Sequence, residues 1–383
     1  MRKWCKFLLP LALICTLFSG CDFSTGELKN RLIVQAIGID KTETGGVRVT
    51  LQTLNTEMTG NPNSGANPGD IVNSLTVEGA TVAEAISDAA KTVGKMPLLS
   101  QNRLIVFGRE TAENGLHGYL DYFVRNVQNR ATVLVAVSDT TAEELVSAKM
   151  GESVLAADSL ENILQAERLN ADILSRELYT LINKLDSDTA DAVLPIVRVE
   201  GEKEESKMQM LSVGVFEKDC MRYELQDTQI TALMLLNNEV QSGVFSIVNP
   251  AFSSETVLRI KHCRTQIQPK IENNEILFQV QVNLKVDITE NKTDAPFAVS
   301  QEYLQETKRL SEAYITDLLN ENMQYCFFRM RSDPYCFGMR LQRLHPRYYK
   351  ENISDWKQVL PSVRYEVQTK VQINRVGNGV ENL

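Results

Sequence analysis

One stretch of thirteen residues, ILFQVQVNLKVDI at positions 276 to 288, constrains the fold more than any other. Phe278, Val280, Val282, Leu284, Val286 and Ile288 alternate with Gln279, Gln281, Asn283, Lys285 and Asp287. Side chains on a strand point to opposite faces with period two, so this run buries one face and wets the other, as an antiparallel sheet does. The preceding ENNE turn predicts a hairpin back to TVLRIKHCRTQI. Near the end VRYEVQTKVQI repeats the device, with Val363, Tyr365, Val367, Val371 and Ile373 on one face. Between these strands Tyr303, Leu304, Leu310, Tyr314, Ile315, Leu318 and Leu319 recur at helical spacing from Ser300 to Met323. A sheet with one apolar face and a helix with one apolar stripe cover each other. An antiparallel C-terminal sheet holding 276–288 and 363–373 under a long helix is therefore expected.

The first half alternates strand and helix signals. RLIVQAIGID and VRVTLQTL flank the turn TETGG, and a polar loop, TGNPNSGANPGD, follows. TVAEAISDAAKTV places Thr81 and Glu84 at capping-box spacing; RLIVFG and ATVLVAVS read as strands, with a helix starting near Thr140 or Thr141. From Asp158 a stripe of Leu160, Ile163, Leu164, Ile173, Leu174, Leu178, Leu181, Ile182 and Leu185 predicts nearly thirty helical residues. The charged GEKEESK after VLPIVRVE marks a solvated hairpin or a boundary near 200 to 208. The fold class is thus α+β and multidomain, with mixed and antiparallel sheets packed by helices. The expected units are 22–199, 209–265 and 266–378, after a leader at 1–20.

That leader is MRKWCKFLLPLALICTLFSGC. Its apolar run from Phe7 to Phe18 spans twelve residues, whereas a helix needs roughly 20 to cross a bilayer. Arg2, Lys3 and Lys6, then the apolar run, then Ser19-Gly20 follow the plan of a secretory signal. With Leu17 and Phe18 ahead of them, they resemble the lipobox of bacterial lipoproteins, which makes Cys21 the lipidation site. An ordinary signal peptide with an incidental cysteine is the alternative. Cleavage takes the formal charge from −9 to about −12, which argues against nucleic acid and against anionic lipid heads.

Catalytic motifs are missing. There is no HExxH, GxSxG, GxxxxGK[ST] or GxGxxG after a strand. Of the three histidines, His117 falls on a predicted helix, His262 in a strand and His345 in a loop before Pro346, none at metal-ligand spacing. Cys220, Cys263, Cys326 and Cys336 show no CxxC and read as reduced, partly buried thiols, with a Cys326–Cys336 pair as the alternative. DSDTAD fails as a calcium loop at Ala190, Asp191 and Val197, and reads as a solvated helix end. Trp356 and Tyr349 in HPRYYKENISDW are expected to pack beneath the C-terminal sheet.

Taken in order, Cys21, ELKNRLIVQAIGID, SQNRLIVFGRETAENG, RNVQNRATVLVAVS, SVGVFEKDCMRYELQDTQITALMLLNNEVQSGV and CFGMRLQRLHPRYYKENISDWKQVLPSVRYEVQTKVQI resemble the Ger(x)C spore germination lipoproteins, the C subunits of germinant receptors. Around the family's FG dipeptide, Cys336 and Met339 stand where an acidic residue and a second glycine are common. The resemblance implies an α+β protein of about three domains without catalysis, cofactor or metal. It would be lipid-anchored at the outer face of the spore inner membrane, beside a multi-spanning and a transporter-like integral membrane subunit. Its task would be receptor assembly or relay of the nutrient signal. A solute-binding lipoprotein is the alternative function, recognisable by two α/β lobes around a cleft. An extracytoplasmic enzyme with nucleophile and base far apart in the chain is a third.

Overall fold

The structure, a computed structural model, describes residues 30–54, 72–149, 155–201, 206–273, 275–293 and 300–376. The leader 1–20, Cys21, the tether up to Lys29 and the polar loop 59–70 lie outside the described residues.

The larger of two sheets contains β1 (Arg31–Lys41), β2 (Val47–Leu54), β3 (Val72–Gly79), β4 (Met96–Leu98), β5 (Leu104–Phe107), β6 (Leu134–Ser138), β7 (Ala192–Glu200), β8 (Lys207–Glu217) and β9 (Cys220–Leu225). Its order is β3-β2-β1-β5-β6-β7-β8-β9, with β4 beside the start of β1. The central strands β1, β5, β6 and β7 run parallel, and antiparallel hairpins flank them on both sides. Parallel strands need helical crossovers, and these cover both faces. Helices α1 (Val82–Val93), α3 (His117–Arg125) and α6 (Leu178–Leu185) pack on Ile105 and Phe107, with α2 (Arg109–Asn114) between them in sequence. Helices α4 (Ala142–Ser147) and α5 (Ala156–Gln165) pack on Leu104 and Val106 on the opposite face. That double burial is why RLIVFG is an unbroken apolar run. The caps follow the sequence: Thr81 accepts from Glu84 N at 3.2 Å while Glu84 reaches back to Ala80 N at 2.9 Å, and Thr141 caps α4.

The helical stripe beginning at Asp158 is not one helix. α5 ends at Gln165, a 3₁₀ turn spans Ala166–Arg168, and α6 starts only at Leu178. Leu160 and Leu164 serve the core on one face of the sheet, whereas Leu178 and Leu181 serve the other. A straight helix cannot change faces, so the chain crosses the sheet end between them, tied by Leu178 N to Val133 O at 2.9 Å.

The second sheet has the order β10 (Gly243–Asn249), β11 (Ser254–Glu272), β12 (Glu275–Thr293), β13 (Arg364–Val376). The hairpin turns at Glu272 and Glu275, as the ENNE sequence indicates. Phe278, Val280, Val282 and Val286 are fully buried, while Gln281, Asn283 and Lys285 are exposed. The expectation of a wholly antiparallel sheet is corrected at β13, which pairs parallel to β12. The intervening chain is a helical crossover rather than a tight turn: α8 (Gln301–Gln324), α9 (Phe337–Leu344), α10 (Pro346–Asn352) and α11 (Trp356–Val359). Such a crossover returns the strand in the same direction. α8 covers the apolar face as expected, through Tyr303, Ile315, Leu318 and Leu319. Mid-helix, however, its buried residues are Thr307 and Ser311, small side chains that allow close approach; Tyr314 lies at the rim, stacked on Phe245 with centroids 5.8 Å apart.

Residues 209–265 are shared between the sheets: β8 and β9 close the first, and β10 and most of β11 build the second. Between them α7 (Thr228–Asn237) buries Ile230, Ala232, Leu233, Met234, Leu235 and Leu236, so apolar side chains surround its axis. It packs in one core with Val213 and Val215 of the first sheet and Leu258 and Val280 of the second. Among the described residues no helix is long and apolar enough to cross a membrane.

Candidate functional site

The most constrained polar arrangement lies where the start of β7 meets the segment between α8 and α9. α8 continues through a π turn, Tyr325–Met330, and Arg331 then adopts a left-handed conformation, which turns Ser332 and Asp333 inward. Asp191, just before β7, accepts from Ser332 Oγ at 2.5 Å and from Asp333 N at 2.8 Å, and its own N–H donates to Asp333 O at 3.0 Å. Lys357 Nζ sits 3.1 Å from the Asp191 carboxylate and 3.1 Å from Glu217 at the end of β8. Asp333 accepts from Phe337 N at 3.0 Å, Gly338 N at 2.7 Å and Trp356 Nε1 at 3.0 Å. One carboxylate thus ties the first sheet to the helical segment, and a second ties that segment to itself.

The FG dipeptide is explained by this packing. Phe337 is fully buried, its ring centroid 4.7 Å from Phe278 of β12 and 5.1 Å from Phe327. A Cβ on Gly338 would stand 2.6 Å from Trp356 Nε1 and 2.7 Å from Thr189 O, closer than real Cβ contacts. Trp356 packs on Phe278 as expected, and Tyr349 is half-buried. His345 breaks α9 from α10 and places Nε2 3.2 Å from Pro269 O; Pro346 opens α10. The DSDTAD segment is therefore only partly a solvated helix end: Asp186 and Asp188 are exposed, but Thr189 and Asp191 are buried in the junction.

Complete burial pushes the Asp333 carboxyl up to about 6, even though the N–H groups of Gly338, Phe337 and Trp356 favour its anion; nearby Asp191 adds to the rise. Because the folded value exceeds that of an unfolded aspartate, this group's contribution is full below about pH 3.8 and is lost as pH rises through about 6. Urea unfolding is expected to show about 1 kcal/mol more stability at pH 5 than at pH 7. Asp40 is shifted in the same direction by burial, so Asp333→Asn isolates the Asp333 share and should shrink the difference by that share. Identical wild-type and variant pH profiles would discount this role.

The carboxyl ends of β1, β5 and β6 form the place where open α/β sheets hold ligands. Here the chain itself takes up part of that crevice, and an open hollow of about 390 Å³ remains, lined among others by Asp40, Lys41, Glu110, Thr111, Thr140 and Thr141. Asp40 accepts from Ala142 N and Glu143 N, both at 2.8 Å, so its carboxylate occupies the donors that open α4. Beside it Arg109 pairs with Asp139 and with Glu224 at 2.6 Å, and Arg198 pairs with Asp139 at 2.6 Å. Burial opposes ionisation of Asp139, but the Arg109 and Arg198 bonds outweigh it and hold its carboxyl below the ordinary value.

The remaining candidates are not brought together. His117 opens α3, His262 is exposed on β11 and His345 lies at the α9–α10 break. Among the described residues no three His, Cys, Asp or Glu side chains are grouped to hold a metal ion. Cys220, Cys263, Cys326 and Cys336 are free thiols. Burial pushes Cys263 up to about 11 and Cys326 up to about 12, so both stay protonated and poorly nucleophilic at neutral pH.

Comparison with known families matches residues 24–199 to the spore germination protein N-terminal domain and residues 212–377 to the spore germination B3/GerAC-like C-terminal domain. The chain belongs to the GerAC-like spore germination proteins. Similar proteins include spore germination protein KC of Bacillus subtilis strain 168, 22% identical with 98% of this chain and 97% of that protein aligned. Spore germination protein B3 of the same organism is 20% identical over 97% of this chain and 98% of its own. GerQC of Bacillus cereus is 22% identical over 78% of this chain and 81% of its own. The crystal structure of the GerBC protein shares the fold, with a TM-score of 0.59 and 17% identity, covering 88% of this chain and 96% of that one. In this GerAC-like protein the lipidation candidate, Cys21, lies outside the described residues. Sequence reasoning missed Asp191 and Asp333. The FG, H, P and W pattern was the one available signal, since Phe337, Gly338, His345, Pro346 and Trp356 all frame the Asp333 pocket or the helix breaks around it.

Proposed function

We propose that this chain is a non-catalytic lipoprotein subunit of a spore germinant receptor, needed for receptor assembly or for relay of the nutrient signal. It is held at the outer face of the spore inner membrane by lipid on Cys21, beside two integral membrane subunits, one multi-spanning and one transporter-like. The observation that carries this reading is the ordered match of both germination domains over residues 24–199 and 212–377. The junction around Asp191 and Asp333 supports it, because a part that transmits or organises contacts benefits from two sheets locked together. The unequal sheets, one of nine strands and one of four, weigh against the alternative of a solute-binding lipoprotein, which needs two α/β lobes around a cleft.

Two acyl chains are roughly what stable attachment requires, each adding about 0.8 kcal/mol per buried CH₂. The tether from Asp22 to Asn30 reaches at most about 30 Å at about 3.3 Å per residue, so β1 starts close to the bilayer. Confinement to the membrane raises the effective concentration near its partners. Cys21→Ala is expected to abolish metabolic lipid labelling, move the protein to the soluble fraction and slow nutrient-triggered germination by about tenfold or more. Unlabelled wild type would rule out lipidation. A soluble variant that germinates at the normal rate would show that the anchor is dispensable.

A further inference from the structure

The four-stranded sheet buries one face under α8 and, among the described residues, leaves the other bare, and its register fixes which side chains share the bare face. Arg264, Asn283 and Lys370 form one row, His262, Lys285 and Gln372 the next, and Arg259, Asp287 and Arg375 a third. All are exposed except half-buried Asp287. Among the described residues Arg259, Arg264, Lys285, Lys370 and Arg375 make no ion pair within 4 Å, in contrast to Lys292 with Glu255 and Arg364 with Glu275 at the two ends of the sheet. Same-face rows lie about 7 Å apart and strands about 4.8 Å apart, so the five cations repel one another. They do so in a chain whose total formal charge is −9, so the rest of the surface is the more acidic.

We propose that this bare face docks on the anionic phospholipid headgroups of a bilayer. An open hollow of about 580 Å³ on this face is lined by His262, Arg264, Asn283, Lys285, Lys370 and Gln372, with Lys308 of α8 at its side; its charge is complementary to phosphate, and guanidinium and ammonium groups donate well to phosphate oxygens. Gln281 and Gln368, in the adjoining row, add neutral donors. Total charge argued against this attraction, but beyond a Debye length of about 8 Å charges are screened, so the facing residues decide. The inference rests on the membrane-attached reading given above, yet it concerns a contact that the lipid on Cys21 does not make.

The test uses the mature chain from Asp22, which lacks Cys21 and keeps every described residue. Its sedimentation is measured with vesicles of phosphatidylcholine alone and with equal parts phosphatidylglycerol. Binding is expected only with phosphatidylglycerol, and to fall at least about tenfold between 0.1 and 0.5 M salt. The triple variant Arg264→Glu, Lys285→Glu, Lys370→Glu should lose binding. Arg168→Glu, Lys207→Glu, Lys350→Glu, an equal charge change at exposed sites off this face, should keep it. Glutamine at the same three sheet positions serves if charge reversal lowers the melting temperature. Equal losses in both triple variants, binding indifferent to phosphatidylglycerol, or no vesicle binding by folded wild type would each overturn the proposal. Because Cys21 is absent throughout, failed lipidation in the spore cannot be confused with failure here.

Discussion

Val282→Asp is expected to abolish cooperative unfolding at ordinary temperatures, at a cost of about 4 kcal/mol or more. Val282 is fully buried midway along β12, between β11 and β13 and beneath α8, with Thr265 and Thr369 as its strand partners. A carboxylate there would sit among the apolar side chains of one core, and even protonated it strands a hydroxyl while removing a packed isopropyl group. Thermal unfolding by circular dichroism reads the effect. A melting temperature within a few degrees of wild type would mean that this face is not the core.

The same position shows what was legible in the sequence. Period-two alternation fixed β12 and its buried face because a one-residue slip would expose every apolar side chain. The direction of β13 was not encoded in this way, since Tyr365, Val367 and Val371 bury the same face in either direction. Direction came from the connection, a helical segment whose length only the folded chain relates to sheet geometry. The split between α5 and α6 was hidden for a similar reason: Leu160 and Leu178 obey one helical rhythm but serve cores on opposite sides of a sheet.

Gly338→Ala is expected to cost about 3 kcal/mol, near the upper end for inserting one methyl group into a packed site. The new Cβ would face the indole nitrogen of Trp356 at 2.6 Å and the backbone oxygen of Thr189 at 2.7 Å. A backbone oxygen cannot rotate away, and moving Trp356 breaks its bond to Asp333, leaving a buried acceptor underused. Signal cleavage would remove Trp4 and leave Trp356 as the single tryptophan of the mature chain, so a red shift in its emission accompanies the loss of stability. Unchanged emission together with an unchanged urea midpoint would contradict the packing described. Fold class and the long helix could be read from periodicity, but this junction could not. Asp191 and Ser332 are 141 positions apart, and neither carries a local pattern that announces the other.

That separation sets an order of events for a polypeptide made amino end first. The first sheet gains β8 and β9 soon after β7 emerges, because their connection is short. The carboxylate of Asp191 nevertheless waits for Ser332 and Asp333, and those wait for Trp356. Until the last third of the chain is present, the helical segment has no lock and α7 lacks the strands that cover its far side. A chain cut short by nicking or failed synthesis would thus keep a large apolar surface open to proteases. Completion of the carboxyl end thus closes the junction, and only the finished chain buries that surface.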